Sequence, residues 1–143
     1  QHIILSQVET LLSYADRFYQ RQFITRKIAN HQILERLEIL LNDYFTGESL
    51  IADGLPTVKF IAQSLNVSTS YLGSLLKSLT GQSTQQLIQD KIIEKAKEKL
   101  STTNLSVSEI AYQLGFEHSQ SFSKLFKTKT QLSPLGFRQA FLS

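Results

Sequence analysis

The sequence predicts an all-α protein with two similar two-helix units, a long linker helix between them and an antiparallel helix pair before them. Apolar residues recur at intervals of three and four along most of the 143 residues, as on one face of a helix. We find no convincing strand pattern. The segments 61–77 and 110–127 also resemble each other, which predicts that one structural unit occurs twice.

The first fifty residues predict a helical hairpin. One helix is expected over 3–22 and a second over about 28–45, each with an apolar stripe at helical spacing. The first stripe is heptad-like, so we expect a homodimer through residues 3–45, with a hairpin packed on its own chain as the alternative. That first stripe contains Ile4, Val8, Leu11, Ala15 and Phe18.

Two glycines within residues 46–54 interrupt the helical pattern and predict a domain boundary. We therefore divide the chain into a hairpin, 1–50, and a second domain, 55–143. The chain begins with Gln1 and contains no methionine, so we expect it to be part of a longer protein.

Capping residues predict the first helices of the second domain. Thr57 is expected to cap a helix that ends near residue 65, and another helix is expected over 69–79. Gly81 suits the left-handed conformation that ends a helix. Ser83 with Gln86 forms a capping box, which opens the long helix 84–101.

The same signals recur in the last third of the chain. Ser106 with Glu109 predicts a second capping box before a helix that ends at Gly115. A further helix is expected over 119–129. The pair Ser133-Pro134 then places a capping serine before a proline at the first position of a last helix.

The repeated unit is interpreted as a helix-turn-helix, with apolar positions matched between the copies. Ile61 matches Ile110 at an offset of 49, and Leu72 matches Phe122 at an offset of 50. The second helix of such a unit can enter a DNA major groove. The intervening helix, about 27 Å long at about 1.5 Å per residue, could set two reading helices about one DNA turn apart.

Polar side chains on the second helix of each copy are the candidate DNA contacts. Gln120 can pair with adenine and Lys124 can reach guanine. Lys77 and Lys127 are expected to meet phosphates, while Tyr71 could either pack or touch a phosphate. The candidates are Ser70, Tyr71, Gly73, Ser74 and Lys77 in the first copy and Ser119, Gln120, Ser121, Ser123, Lys124 and Lys127 in the second.

Charge is consistent with a polyanionic partner for the second domain. Residues 1–50 carry a net charge of −1 and the remainder +4. The chain lacks cysteine and any apolar run long enough for a membrane span, so we expect a cytoplasmic protein without a membrane partner. The absence of cysteine is also compatible with export. The lysine-rich stretch 91–99 is interpreted as a solvated face.

Other function classes receive less support from the sequence. The three histidines are widely separated, and nucleophile or phosphate-loop motifs are absent, so neither an enzyme, a metal site nor another cofactor is expected. Aromatic side chains at 116, 122, 126 and 137 are interpreted as core, and Ser119 as a helix cap. A helical protein-interaction adaptor that binds no nucleic acid remains the competing interpretation.

The stretch "IAYQLGFEHSQSFSKLFKTKTQLSPLGFR", 110–138, resembles the signature of the AraC family of bacterial transcription regulators. The resemblance extends over roughly 55–141. It implies a seven-helix domain that binds promoter DNA and recruits RNA polymerase, more often as an activator. It also implies that the first fifty residues are the tail of an effector-sensing or dimerising domain.

Four positions depart from the family pattern. Gln131 replaces a usual glycine, which predicts a strained or differently wound helix end. His118 replaces a common aspartate, which predicts a change in a helix cap at this position. Lys124 replaces a frequent arginine, and Thr84 replaces a proline.

Overall fold

The computed structural model describes residues 2–142, with the exception of the side chains of residues 2–16, 18, 19 and 23. The described residues form helices and connecting turns, without a strand, so the predicted all-α class is confirmed. The helices are α1 (His2–Thr46), α2 (Ser49–Asp53), α3 (Val58–Ser64), α4 (Thr69–Thr80), α5 (Thr84–Thr102), α6 (Val107–Gln113), α7 (Ser119–Thr130) and α8 (Pro134–Leu142).

The predicted antiparallel pair over residues 3–45 is wrong, because α1 is one uninterrupted helix. The physical reason lies in the sequence of residues 1–46, which contain neither glycine nor proline to break the helix. Gly47 is the first glycine, and its N–H donates to the carbonyl of Asp43 where α1 ends. The stripe of Ile4 to Phe18 lies outside the described side chains.

The chain divides into two compact units, 1–36 and 37–143. The first unit is helical from His2 onward. Its described side chains are mostly exposed, and Ile24 and Ile28 are 57% and 54% accessible to solvent.

Helix α5 is central to the second unit, where it contacts α4, α6, α7 and α8. Its predicted inward residues Ile88, Ile92, Ala96 and Leu100 are buried. Helices α3 and α4 pack together, as do α6 and α7, so each sequence copy forms a two-helix unit. Ile61 and Leu72 are fully buried in the first copy, and their counterparts Ile110 and Phe122 are fully buried in the second.

The predicted helix starts are largely confirmed. Thr57 Oγ1 accepts a hydrogen bond from the N–H of Phe60, and Ser83 with Gln86 forms the reciprocal capping box. Ser106 Oγ accepts from the N–H of Glu109, and Ser133 Oγ accepts from the N–H of Gly136. These bonds satisfy amide groups that have no partner within their own helices.

Residues 46–54 belong to the second unit and contain a short helix that the sequence analysis missed. Leu50 on α2 is buried, and α2 contacts α6. The hydroxyl of Tyr44 donates to the carbonyl of Gly54 at 2.7 Å. Burial first, and then the nearby Asp53 carboxylate, raise the pKa of Tyr44 above its ordinary value of 10.0.

Candidate nucleic-acid interface

Helix α4 is anchored by its apolar side and by caps at both ends. Leu72 and Leu76 are fully buried. Ser68 Oγ accepts a hydrogen bond from the N–H of Tyr71 at the start, and Gly81 ends the helix with φ of 76°. The predicted left-handed glycine is therefore confirmed, and the opposite side of α4 is left facing solvent.

The outward side of α4 carries the predicted residues of the first copy. Ser70, Ser74 and Lys77 are exposed, as is Tyr71, whereas Gly73 is half-buried. A Cβ atom added to Gly73 would meet no atom within 4 Å, so this surface is sterically open. The small side chains leave room for a partner to approach α4 closely.

An open groove beside α4 includes Ser78, which the sequence analysis missed, and Ser83, which it predicted only as a helix cap. Gly73, Ser74 and Lys77 line it together with Ser78 and Ser83. Ser78 lies four residues after Ser74 and therefore on the same side of the helix. That spacing was the signal available in the sequence.

Helix α7 is held by aromatic packing. Phe122 and Phe126 are fully buried, with ring centroids 5.9 Å apart, and they contact Phe116 and Phe137 at 5.4 and 5.7 Å. Edge-on and tilted ring pairs at these distances are favourable in a core. The interpretation of these phenylalanines as core is consistent with this packing, and they are not presented as a stacking surface for bases.

The predicted residues of the second copy share the outward side of α7. Gln120, Ser121, Lys124 and Lys127 are exposed, while Ser119 and Ser123 are half-buried. The outward sides of α4 and α7 therefore correspond in burial but differ in chemistry. Ser70 corresponds to Gln120 and Ser74 to Lys124, so longer side chains with more hydrogen-bonding capacity project from α7.

The residues at the two ends of α7 differ in type from those at the ends of α4. The prediction that Ser119 caps the helix is wrong, because His118 occupies the cap position with extended φ and ψ of −125° and 127° and Ser119 is already helical. His118 makes no side-chain capping bond there. At the other end Gln131 has φ of 66°, the left-handed conformation that Gly81 adopts in α4.

The lysines at the ends of the two helices occupy matched positions. Lys77 and Lys127 both lie in the last turn, where a positive charge interacts favourably with the helix dipole. The ammonium group of Lys77 donates to the carbonyl of Gly81 at 3.1 Å. Lys77 therefore closes its own helix end as well as adding positive charge to the outward side.

No helix in the described part of the chain is both long and apolar enough to cross a membrane. Among the side chains described, no three histidine, aspartate or glutamate residues gather where they could share a metal ion.

Comparison with known proteins places the two-copy arrangement in a family. A helix-turn-helix domain family matches residues 61–140, which is more than half of the chain. The chain belongs to the AraC family of transcription regulators. The resemblance identified from residues 110–138 is thereby confirmed.

Individual relatives agree with this assignment. The chain is 31% identical over 139 residues to the uncharacterized HTH-type transcriptional regulator YfiF of Bacillus subtilis, covering 97% of the chain and 41% of YfiF. The chain thus spans less than half the length of that relative.

Two solved structures share the fold of most of this chain. One is the C-terminal domain of the response regulator AraT from Geobacillus stearothermophilus, with a TM-score of 0.66 and 30% identity over 76% of this chain and 84% of that one. The other is the C-terminal domain of the two-component response regulator yesN from Fusobacterium nucleatum, with a TM-score of 0.63 and 31% identity. That match covers 73% of this chain and 95% of the yesN domain.

Proposed function

We propose that residues 55–143 bind double-stranded promoter DNA sequence-specifically by inserting α4 and α7 into successive major grooves. The observation that carries the proposal is the repeat of one two-helix unit with matched buried and outward positions on α4 and α7. Helix α5 has 19 residues and is about 28 Å long, a suitable length for separating two reading helices by about one turn of DNA.

The outward residues have two proposed roles. Lys77 and Lys127 contact phosphates and position the protein, which contributes affinity without reading sequence. Gln120 and Lys124 hydrogen-bond to base edges, with Ser123 beside them. Ser70, Gly73 and Ser74 allow the backbone of α4 to approach the groove closely. The activity is binding, with no bond-breaking step.

We further propose that the protein acts in the bacterial cytoplasm as an activator that contacts RNA polymerase at the promoter. This rests on family membership, since recruitment of polymerase is what the resemblance implies. Transcription of a linear template that carries the bound site, with purified polymerase, tests it. More transcript in the presence of the protein supports activation, and less transcript indicates repression.

A homodimer through residues 3–45 remains part of the proposal. Ile24 and Ile28 are one helical turn apart on α1 and expose more than half of their surface, which a second copy would cover. Sedimentation at high micromolar concentration tests the dimer. We expect Ile28→Glu to dissociate it and Lys27→Glu, the adjacent exposed position, to leave it intact. A wild-type monomer would refute it.

Selection of bound duplexes from a random pool tests DNA binding directly. Affinity for the selected duplex should fall with salt, with a log-log slope of about −0.9 for each phosphate contacted. Lys77→Ala and Lys127→Ala should each make the slope shallower by about 0.9. A protein-interaction adaptor would instead show no retention by any duplex, even at low salt.

A further inference from the structure

We infer that Asp90 is a positioning residue that fixes α7 relative to α4, and thereby sets the half-site spacing that the protein accepts. The inference rests on the proposed function, because it requires both helices to engage one duplex.

The carboxylate of Asp90 joins the ends of the two candidate recognition helices. Its Oδ2 accepts a hydrogen bond from Gln82 Nε2 at 2.7 Å, and its Oδ1 lies 3.4 Å from Lys129 Nζ. Gln82 is in the turn directly after α4, and Lys129 is in the last turn of α7. Asp90 itself is half-buried on α5, so one side chain of the linker helix contacts the ends of both reading helices.

Helix α7 needs such a contact more than α4 does. Only residues 81–83 separate α4 from α5, so the chain itself holds the end of α4. Helix α7 is separated from α5 by α6 and its turns and is held to it by packing. The packing of α7 on α5 is poorly directional. The hydrogen bond from Gln82 fixes the direction of the Asp90 carboxylate, and the ion pair with Lys129 then sets its distance from the end of α7.

The repeat changes at the residues that make this contact. At the offset of 50, Lys129 corresponds to Leu79, Gln82 to Leu132 and Asp90 to Ala140. Leucine and alanine side chains cannot form such a polar contact, so the contact of Gln82, Asp90 and Lys129 is not repeated at the matched positions. A contact required within each helix-turn-helix would be expected in both copies, whereas a contact between the copies is needed once.

Measurement of spacing preference tests the inference. The duplex selected by the wild-type chain is compared with duplexes that have one base pair inserted or removed between the half-sites. The preference is the ratio of affinities, so a general change in charge cancels. We expect Asp90→Ala to lower the preference about three- to five-fold, the range available to a partly exposed charged contact.

Three further variants make the result specific. Asp90→Asn should lower the preference less, because an asparagine oxygen still accepts from Gln82. The double variant Asp90→Lys with Lys129→Asp should restore the preference, since the ammonium can donate to the Gln82 carbonyl. Glu94→Ala is the matched control, because Glu94 pairs with Lys91 within α5 and joins no other helix.

The outcomes separate the inference from the proposed function. If Asp90→Ala keeps the wild-type preference, or weakens binding equally at every spacing, the inference is overturned while the proposed function stands. If the wild-type chain binds no duplex, both are overturned. If Asp90→Ala does not fold, the inference is judged by the spacing preference of Asp90→Asn and of the double variant Asp90→Lys with Lys129→Asp.

Discussion

Gly115 and Leu50 approach each other so closely that a Cβ atom on Gly115 would lie 2.8 Å from the carbonyl oxygen of Leu50. The same atom would lie 3.0 Å from the carbonyl carbon of Gly54. Gly115 has φ of 89°, which side chains other than glycine rarely adopt. The turn between α6 and α7 is therefore in direct backbone contact with the segment that contains α2.

Replacement of Gly115 by alanine should destabilise the protein by about 3 kcal/mol. Left-handed backbone costs about 1–2 kcal/mol for a residue with a Cβ, and the overlap with rigid backbone costs a further 1–3 kcal/mol. Urea unfolding measures the change. Gly73→Ala is the control: it sits in open space within α4 and should stabilise by about 0.5–1 kcal/mol. Equal effects of the two variants would contradict the prediction.

The structure of residues 57–142 could be predicted because its signals are local. Capping serines, glycine stops and apolar spacing each act within a few residues, and the similarity of the two copies identified α4 and α7 as equivalent. The short helix α2 has no such signal. Its position depends on burial of Leu50 and on the distant Gly115, and contacts of this kind leave no periodic pattern in the sequence.

In the candidate site, too, the features with local sequence signals could be predicted and those that depend on distant contacts could not. Outward positions on α4 and α7 followed from helical spacing, and most of these residues are exposed. The contact of Gln82, Asp90 and Lys129 could not be predicted, because the three residues come from separate elements. The sequence does not show which polar surface residues pair with each other. The uninterrupted α1 was missed for the opposite reason: the prediction assumed a bend where no helix-breaking residue exists.

The matched helix ends of α4 and α7 predict opposite effects of reciprocal substitutions. Gln131 adopts φ of 66° where α4 has Gly81 at 76°. Gln131→Gly should therefore stabilise by about 1 kcal/mol, and Gly81→Gln should destabilise by a similar amount. The Gln131 amide donates to the carbonyl of Thr128, which reduces the gain. Thermal unfolding measures both variants, and a loss of stability in Gln131→Gly would refute the argument.

Replacement of Thr84 by proline should stabilise the protein. The Thr84 hydroxyl is buried without a hydrogen-bond partner, and Thr84 is the first residue of α5. Pro134 occupies the matched position in α8 and is buried there. Removing the unsatisfied hydroxyl and restricting the unfolded chain should together contribute about 1–3 kcal/mol.

Thr84→Val separates these two causes, because it removes the hydroxyl while leaving the backbone of the unfolded chain less restricted than proline does. We expect its gain, measured by calorimetry, to be smaller than that of Thr84→Pro. A drop in melting temperature for both variants would show that the hydroxyl has a stabilising role.

The hydrogen bond from Tyr44 to Gly54 predicts a loss of stability at alkaline pH. The raised pKa means that the folded protein keeps the phenol proton after the unfolded chain has begun to lose its own near pH 10. The contribution is therefore complete below pH 10 and declines as pH rises through the folded pKa. Tyr44→Phe should cost about 1–3 kcal/mol at pH 7. Its difference from wild type should shrink above pH 10 in urea titrations; a constant difference would disprove the linkage.

The different chemistry of α4 and α7 predicts that α7 supplies most of the sequence discrimination. A bidentate contact between a side chain and a base contributes about 1–3 kcal/mol, and Gln120 has the length and amide group for one, whereas Ser70 at the matched position does not. Gln120→Ala and Lys124→Ala should each lower the affinity ratio between the selected duplex and a scrambled one by about tenfold. Ser70→Ala and Ser74→Ala, the matched controls on α4, should change that ratio by about twofold or less. Fluorescence anisotropy at one fixed salt concentration measures the affinity ratio of all four variants. At fixed salt, phosphate contacts affect both duplexes alike and cancel in the ratio. If Ser74→Ala lowers the ratio as much as Gln120→Ala and Lys124→Ala do, discrimination does not reside mainly in α7, and the Ser74 hydroxyl reads a base directly or through bound water.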